Sequence, residues 1–82
     1  MPKILIIEDE AAIRRVLTKI ISEENDTYSV EQAEDGLQGI EMIKDNDYDL
    51  VLCDIKMPKM DGVEVLEKAK KIKPEIPIVM IS

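Results

Sequence analysis

Short apolar runs that alternate with stretches of helical periodicity constrain this chain more than any other feature. Ile4-Leu5-Ile6-Ile7 and Leu50-Val51-Leu52-Cys53 are continuous and apolar, the pattern of strands buried on both faces of a sheet. Ile76 and Ile78-Val79-Met80-Ile81 form a last apolar strand, with Pro77 near its start. In Tyr28–Ala33, Tyr28, Val30 and Ala33 are mixed with Ser29, Glu31 and Gln32, and such a half-polar stretch suits an exposed edge strand.

Between these runs the period changes. Ile13, Val16, Leu17, Ile20 and Ile21 follow the i, i+3, i+4, i+7, i+8 spacing of an amphipathic helix. Leu37, Ile40 and Ile43 mark a second helix with Asp35 as its N-cap. Val65, Leu66, Ala69 and Ile72 mark a third, which must end near Pro74. The order β-α-β-α-β-α-β implies parallel strands joined by right-handed helical crossovers. The 82 residues suffice for one small domain, and no repeat, low-complexity tract or linker interrupts them.

Charge and composition narrow the function. The formal net charge of −7 argues against nucleic acid or an anionic membrane as a direct partner. The apolar run Ile4–Ile7 is too short for a signal-peptide core or a membrane span. Histidine is absent, which excludes histidine-based acid–base catalysis, a phosphohistidine and His-ligated metals in this chain. The single cysteine, Cys53, cannot form an internal disulfide, and a reducing cytoplasmic setting is expected. Inside an apolar strand it reads as a small buried hydrophobe.

In open α/β sheets, sites form beyond the carboxyl ends of the strands. There the first strand is followed by Glu8-Asp9, the third by Asp54 and the fourth by Ser82. Three carboxylates brought together repel: at about 4 Å and an effective dielectric of about 20, each pair costs roughly 4 kcal/mol. A hard divalent cation offsets this, and an all-oxygen site on few carboxylates suits Mg²⁺. A carboxylate beside such an ion can act as a nucleophile toward a phosphoryl group. Simpler readings stand beside this one. Glu8-Asp9-Glu10 also suits a helix start, where the dipole favours negative charge, and Lys68, Lys70, Lys71 and Lys73 suit a solvated helix C-terminus. A nucleotide-binding enzyme is a poor fit, since no Gly-rich loop follows the first strand.

Three stretches together resemble the response-regulator receiver family: Lys3-Ile-Leu-Ile-Ile-Glu-Asp-Glu10, Asp54-Ile-Lys-Met-Pro-Lys-Met-Asp-Gly62 and Ile76-Pro-Ile-Val-Met-Ile-Ser82. The resemblance covers the whole chain, and the Asp54–Gly62 stretch is its most specific part. It implies a phosphoacceptor module of a two-component signalling system rather than an enzyme acting on an external substrate. Asp54 would accept a phosphoryl group from the phosphohistidine of a sensor histidine kinase. Asp9 and Asp54 would ligate Mg²⁺ directly, Glu8 often through water, with the Lys56 backbone carbonyl as a further ligand. Ser82 would sense the phosphoryl group, and Pro58 and Gly62 would shape the loop after the acceptor. The wording around Ser82 also resembles receivers fused to sigma-54-dependent transcription activators.

The fold expected is a flavodoxin-like, doubly wound sheet with strand order 2-1-3-4. Residues 1–82 would be the N-terminal part of a receiver, truncated after the fourth strand. The family continues through a helix, a fifth strand carrying a lysine, and a final helix, and that lysine normally pairs with the phosphoryl group. Ile78–Ile81 would then be a bare apolar edge, open to pairing with another copy. A rival function follows: a fragment without its switch that oligomerises through that edge.

Overall fold

The computed structural model describes residues 2–81, so the expectation placed on Ser82 lies outside the described residues. Within them the chain runs β1 (Lys3–Ile7), α1 (Ala11–Glu24), β2 (Ser29–Ala33), α2 (Gly36–Asp45), β3 (Leu50–Asp54), α3 (Gly62–Ile72) and β4 (Ile78–Ile81). All strand pairings are parallel and the sheet order is β2-β1-β3-β4. This is the doubly wound, flavodoxin-like order expected with the receiver resemblance, and the parallel pairing is the one the alternating pattern predicts.

Two acidic residues cap helices, Asp35 as expected and Asp61 in addition. The Asp35 carboxylate accepts from the Gln38 amide at 2.8 Å, and the Asp61 carboxylate accepts from the Glu64 amide at 2.9 Å. Each satisfies a helix-end N–H that would otherwise lack a partner. α3 ends at Ile72, two residues before Pro74, because the residue preceding a proline is disfavoured in helical conformation.

The main core cluster lies on one side of the sheet, while Ile4 and Ile6 of β1 are buried on the other. Leu5 and Ile7 of β1 and Val51 and Cys53 of β3 share one face by strand alternation. They form a single cluster with Ile40 and Ile43 of α2 and Val65 and Ala69 of α3. α2 packs against α3, whereas α1 packs on β1 and β2. Reversal of winding direction after β2, with right-handed crossovers, puts α1 on the opposite face.

That opposite face corrects two expectations. β3 is not buried on both faces: Val51 and Cys53 are buried, but Leu50 and Leu52 are half-buried, and β4 is half-buried with Val79 exposed. Among the described residues this side is covered by α1, which packs on β1 and β2. The apolar stripe of α1 is covered only in part: Leu17 and Ile21 are half-buried, whereas Ile13, Val16 and Ile20 are exposed. Leu37, expected on the core side of α2, is 58% exposed. The cationic stretch of α3 is partly structural. Lys70 Nζ donates to the Ile76 carbonyl, while Lys73 Nζ donates to the Asn46 carbonyl and to Asp47 at 2.8 Å. These bonds lash α3 to the loops that enter β3 and β4.

Candidate phosphoacceptor site

The sheet register fixes which strand ends meet. Ile7 lies opposite Cys53, and Asp54 lies opposite Ile81. One step beyond Ile7 therefore sets Glu8 beside Asp54. Ligand oxygens of Glu8, Asp9 and Asp54 all fall within 4.8 Å of one another. Glu8 is buried, Asp9 exposed and Asp54 half-buried, so the cluster has a closed floor and an open mouth. Asp54 is the last residue of β3 rather than the first residue after it.

Backbone groups hold the turn after β1. The Glu8 amide donates to the Ala33 carbonyl at 3.2 Å, extending the β1–β2 ladder by one residue. The Glu8 carboxylate accepts from the amides of Asp9 at 2.8 Å and Glu10 at 3.4 Å. Burial pushes the Glu8 carboxyl up to about 7, assisted by the neighbouring Asp9 and Asp54 carboxyls and opposed by the Glu10 amide. A buried acid facing two more acids disfavours its own charge. Burial, with the charges of Asp54 and Glu8, likewise pushes the Cys53 thiol up to about 12. That keeps Cys53 from forming the reactive thiolate, in line with its reading as a buried hydrophobe.

The loop after Asp54 is shaped around close backbone approach. The Lys56 amide points to the Asp54 carboxylate at 3.4 Å. Lys59 takes a left-handed conformation with φ of 70°, and the Met60 amide turns back to the Pro58 carbonyl at 2.8 Å. The Gly62 amide donates to the Ile55 carbonyl at 2.8 Å. A Cβ on Gly62 would sit 2.2 Å from the Asp54 carbonyl oxygen and 2.7 Å from the Ile55 Cα. Only glycine lets the start of α3 lie this close to the backbone that carries Asp54. Met57 and Met60 are buried in the core cluster, as loop-packing residues are.

One residue of the site escaped the sequence reading. Arg14 is buried in α1, and its Nη1 donates to the Glu8 carbonyl at 2.7 Å. The available signal was a cation closing the first turn of a helix, against the helix dipole.

The donor set fits a hard divalent cation. Carboxylate oxygens converging from two strand ends, with no nitrogen or sulfur among them, match the preference of Mg²⁺.

Residues 4–82 match the response regulator receiver domain family. The chain belongs to this family. It is a receiver domain of the two-component response regulators. Among curated relatives, a protein-glutamate methylesterase/protein-glutamine glutaminase from Methylobacillus flagellatus is 46% identical over 80 residues, covering 98% of this chain. The same-named protein from Thiobacillus denitrificans is 42% identical over 80 residues, again 98% of this chain. The chain spans only 22% of the length of either relative. Among solved structures, the response regulator protein TrrA from Thermotoga maritima, in complex with Mg²⁺-BeF, is similar at 35% identity. Its TM-score is 0.92, over 98% of this chain and 68% of that one. A complex of the histidine kinase ThkA with TrrA matches at 35% identity and a TM-score of 0.90, over 98% of this chain and 67% of that one.

The receiver domain thus keeps Glu8, Asp9 and Asp54 together as the sequence pattern predicts. Among the described residues no helix is long and apolar enough to cross a membrane.

Proposed function

We propose that Asp54 is the phosphoacceptor of this receiver domain, and that its phosphoryl group comes from a phosphohistidine of a sensor histidine kinase. The observation that carries this reading is the gathering of three carboxylates within 4.8 Å, with half-exposed Asp54 at the end of β3. A carboxylate oxygen of Asp54 bonds to phosphorus as the phosphorus–nitrogen bond of the donor breaks. The imidazole leaves with that electron pair and takes a proton from solvent, and Asp54 carries an acyl phosphate. The donor class is supported by the similarity to TrrA, which has been solved with the histidine kinase ThkA.

Glu8, Asp9, Asp54 and the Lys56 backbone carbonyl would hold Mg²⁺, a reading supported by the acidic cluster and by the Mg²⁺-BeF complex of TrrA. When bound, the ion neutralises charge on the transferring group. The protein's own contribution is position: strand ends fix Glu8 and Asp54, and the Lys56–Gly62 loop leaves the mouth open. Ser82 follows β4 and would sense the phosphoryl group. The cytosol is the setting we assign, consistent with the lone reduced Cys53.

For the output, the relatives' names point to a protein-glutamate methylesterase and not to the transcription activators suggested by the residues around Ser82. Ester hydrolysis by a Ser-His pair is not open to this chain, which contains no histidine.

Intact-mass measurement after incubation with Mg²⁺ and a small-molecule phosphodonor tests the assignment. One added phosphoryl group is expected, absent without Mg²⁺ and absent in Asp54→Asn. Phosphorylation that persists in Asp54→Asn would overturn the choice of acceptor.

A further inference from the structure

Arg14 is the single buried residue of α1 among the described residues, in a helix whose aliphatic Ile13, Val16 and Ile20 lie exposed. That inverts the usual order, since an arginine is almost never fully buried unless partnered. Its place at the end of the first turn also sets a cation against the positive end of the helix dipole. Two costs at one residue call for a compensating role.

The partners of Arg14 identify that role. Nη1 donates to the Glu8 backbone carbonyl at 2.7 Å, and Nε donates to the Gln32 side-chain oxygen at 3.3 Å. Gln32 in turn donates through Nε2 to the Thr18 hydroxyl at 3.0 Å. The guanidinium therefore bridges α1, β2 and the turn after β1. The two peptide units that flank the Glu8 Cα are both held, the first by its amide on the Ala33 carbonyl and the second by Arg14 at the Glu8 carbonyl. No carboxylate of the described residues forms an ion pair with Arg14, so its hydrogen bonds go to backbone and amide groups and leave the acidic oxygens free.

We infer that Arg14 is a positioning residue for the acidic site: by fixing the Glu8 carbonyl it aims the Glu8 and Asp9 carboxylates toward Asp54. The inference rests on the reading of those carboxylates as a Mg²⁺ site. Outer-shell partners of this kind typically contribute 10- to 100-fold to metal affinity. The alternative roles predict different signs. A bulk electrostatic role would make removal of this cation tighten Mg²⁺ binding, because a repulsive charge is lost. A packing role would lower stability and leave the affinity of the folded protein unchanged.

Mg²⁺ affinity is to be measured by titration calorimetry on the folded chain, well below each variant's unfolding temperature, for wild type, Arg14→Gln and Arg14→Lys. Weakening of about tenfold is expected in Arg14→Gln, with partial recovery in Arg14→Lys, which keeps a donor to the Glu8 carbonyl. Unchanged or tighter binding in folded Arg14→Gln would overturn the inference. Arg14→Met, which keeps an aliphatic stem and loses the donor to the Glu8 carbonyl, is the decisive variant where Arg14→Gln does not fold: affinity equal to wild type then overturns the inference. Amide hydrogen exchange at Asp9 and Glu10 gives a metal-free readout. Should wild type bind no Mg²⁺, the metal reading fails. Faster exchange in the Arg14 variants then supports the positioning role, and unchanged exchange overturns it.

Discussion

Glu8 shows how much a single side chain can reveal. Its carboxyl titrates near 7 because burial and the Asp9 and Asp54 carboxyls disfavour its charge. In the unfolded chain it titrates at its ordinary value of 4.5. Between these two values the folded state binds more protons than the unfolded state, so this group's stabilisation is complete below about 4.5 and is lost as pH rises through about 7. Urea unfolding from pH 4 to 8 in the absence of divalent ions should therefore show wild type losing stability relative to Glu8→Gln across that window. A parallel pair of curves would show that Glu8 titrates normally. Mg²⁺ binding requires the ionised form and should strengthen as pH rises through 7, releasing a proton.

At the scale of elements, the loop between β3 and α3 is the most tightly specified part of the fold. Asp61 caps α3, Lys59 takes a left-handed backbone, and Gly62 lies against the Asp54 carbonyl. Gly62→Ala puts a methyl group 2.2 Å from that oxygen, so backbone has to move. Overpacking of this kind costs about 1–3 kcal/mol. The variant is expected to unfold at lower temperature and to take up phosphate on Asp54 more slowly, since the displaced carbonyl belongs to the proposed acceptor itself. Thermal unfolding and intact mass over time check both parts; normal kinetics in a destabilised variant would detach the loop from the chemistry.

For the whole molecule, the accessible surface is 5007 Å², close to the roughly 5,000 Å² expected of a folded monomer of 9.3 kDa. The radius of gyration of 11.7 Å agrees with the roughly 12 Å expected for a compact chain of this length. The amount of surface is ordinary, and its distribution is not. β4 forms one edge of the described sheet with Val79 exposed, and α1 carries Ile13, Val16 and Ile20 on its outer side. Among the described residues β4 pairs with β3 alone, and an apolar edge of this kind invites strand pairing. We propose that the 82-residue chain self-associates through Ile78–Ile81 at micromolar concentration, and that Val79→Lys returns it to a monomer. Light scattering decides: a monodisperse wild-type monomer would refute the proposal.

How much was legible beforehand depended on how local the cause was. The short continuous apolar runs and the period-3.6 stretches determined the elements, because strand-length apolar runs and helical apolar spacing are local properties of the chain. Alternation of elements then determined parallel pairing with right-handed crossovers, the half-polar make-up of Tyr28–Ala33 put that strand at an edge, and the full order β2-β1-β3-β4 came with the resemblance to the receiver family. Glu8, Asp9 and Asp54 were legible as a cluster because strand ends are where such sheets place their sites. The extent of cover was not legible. An apolar strand reads the same whether one or two helices reach it, so the half-buried face of β3 and the partly exposed stripe of α1 emerged only once the helices were placed. Arg14 was hidden for the same reason. Its partners lie on the turn after β1 and on β2, and only tertiary packing decides that a surface-type residue in α1 turns inward to hold the Glu8 carbonyl.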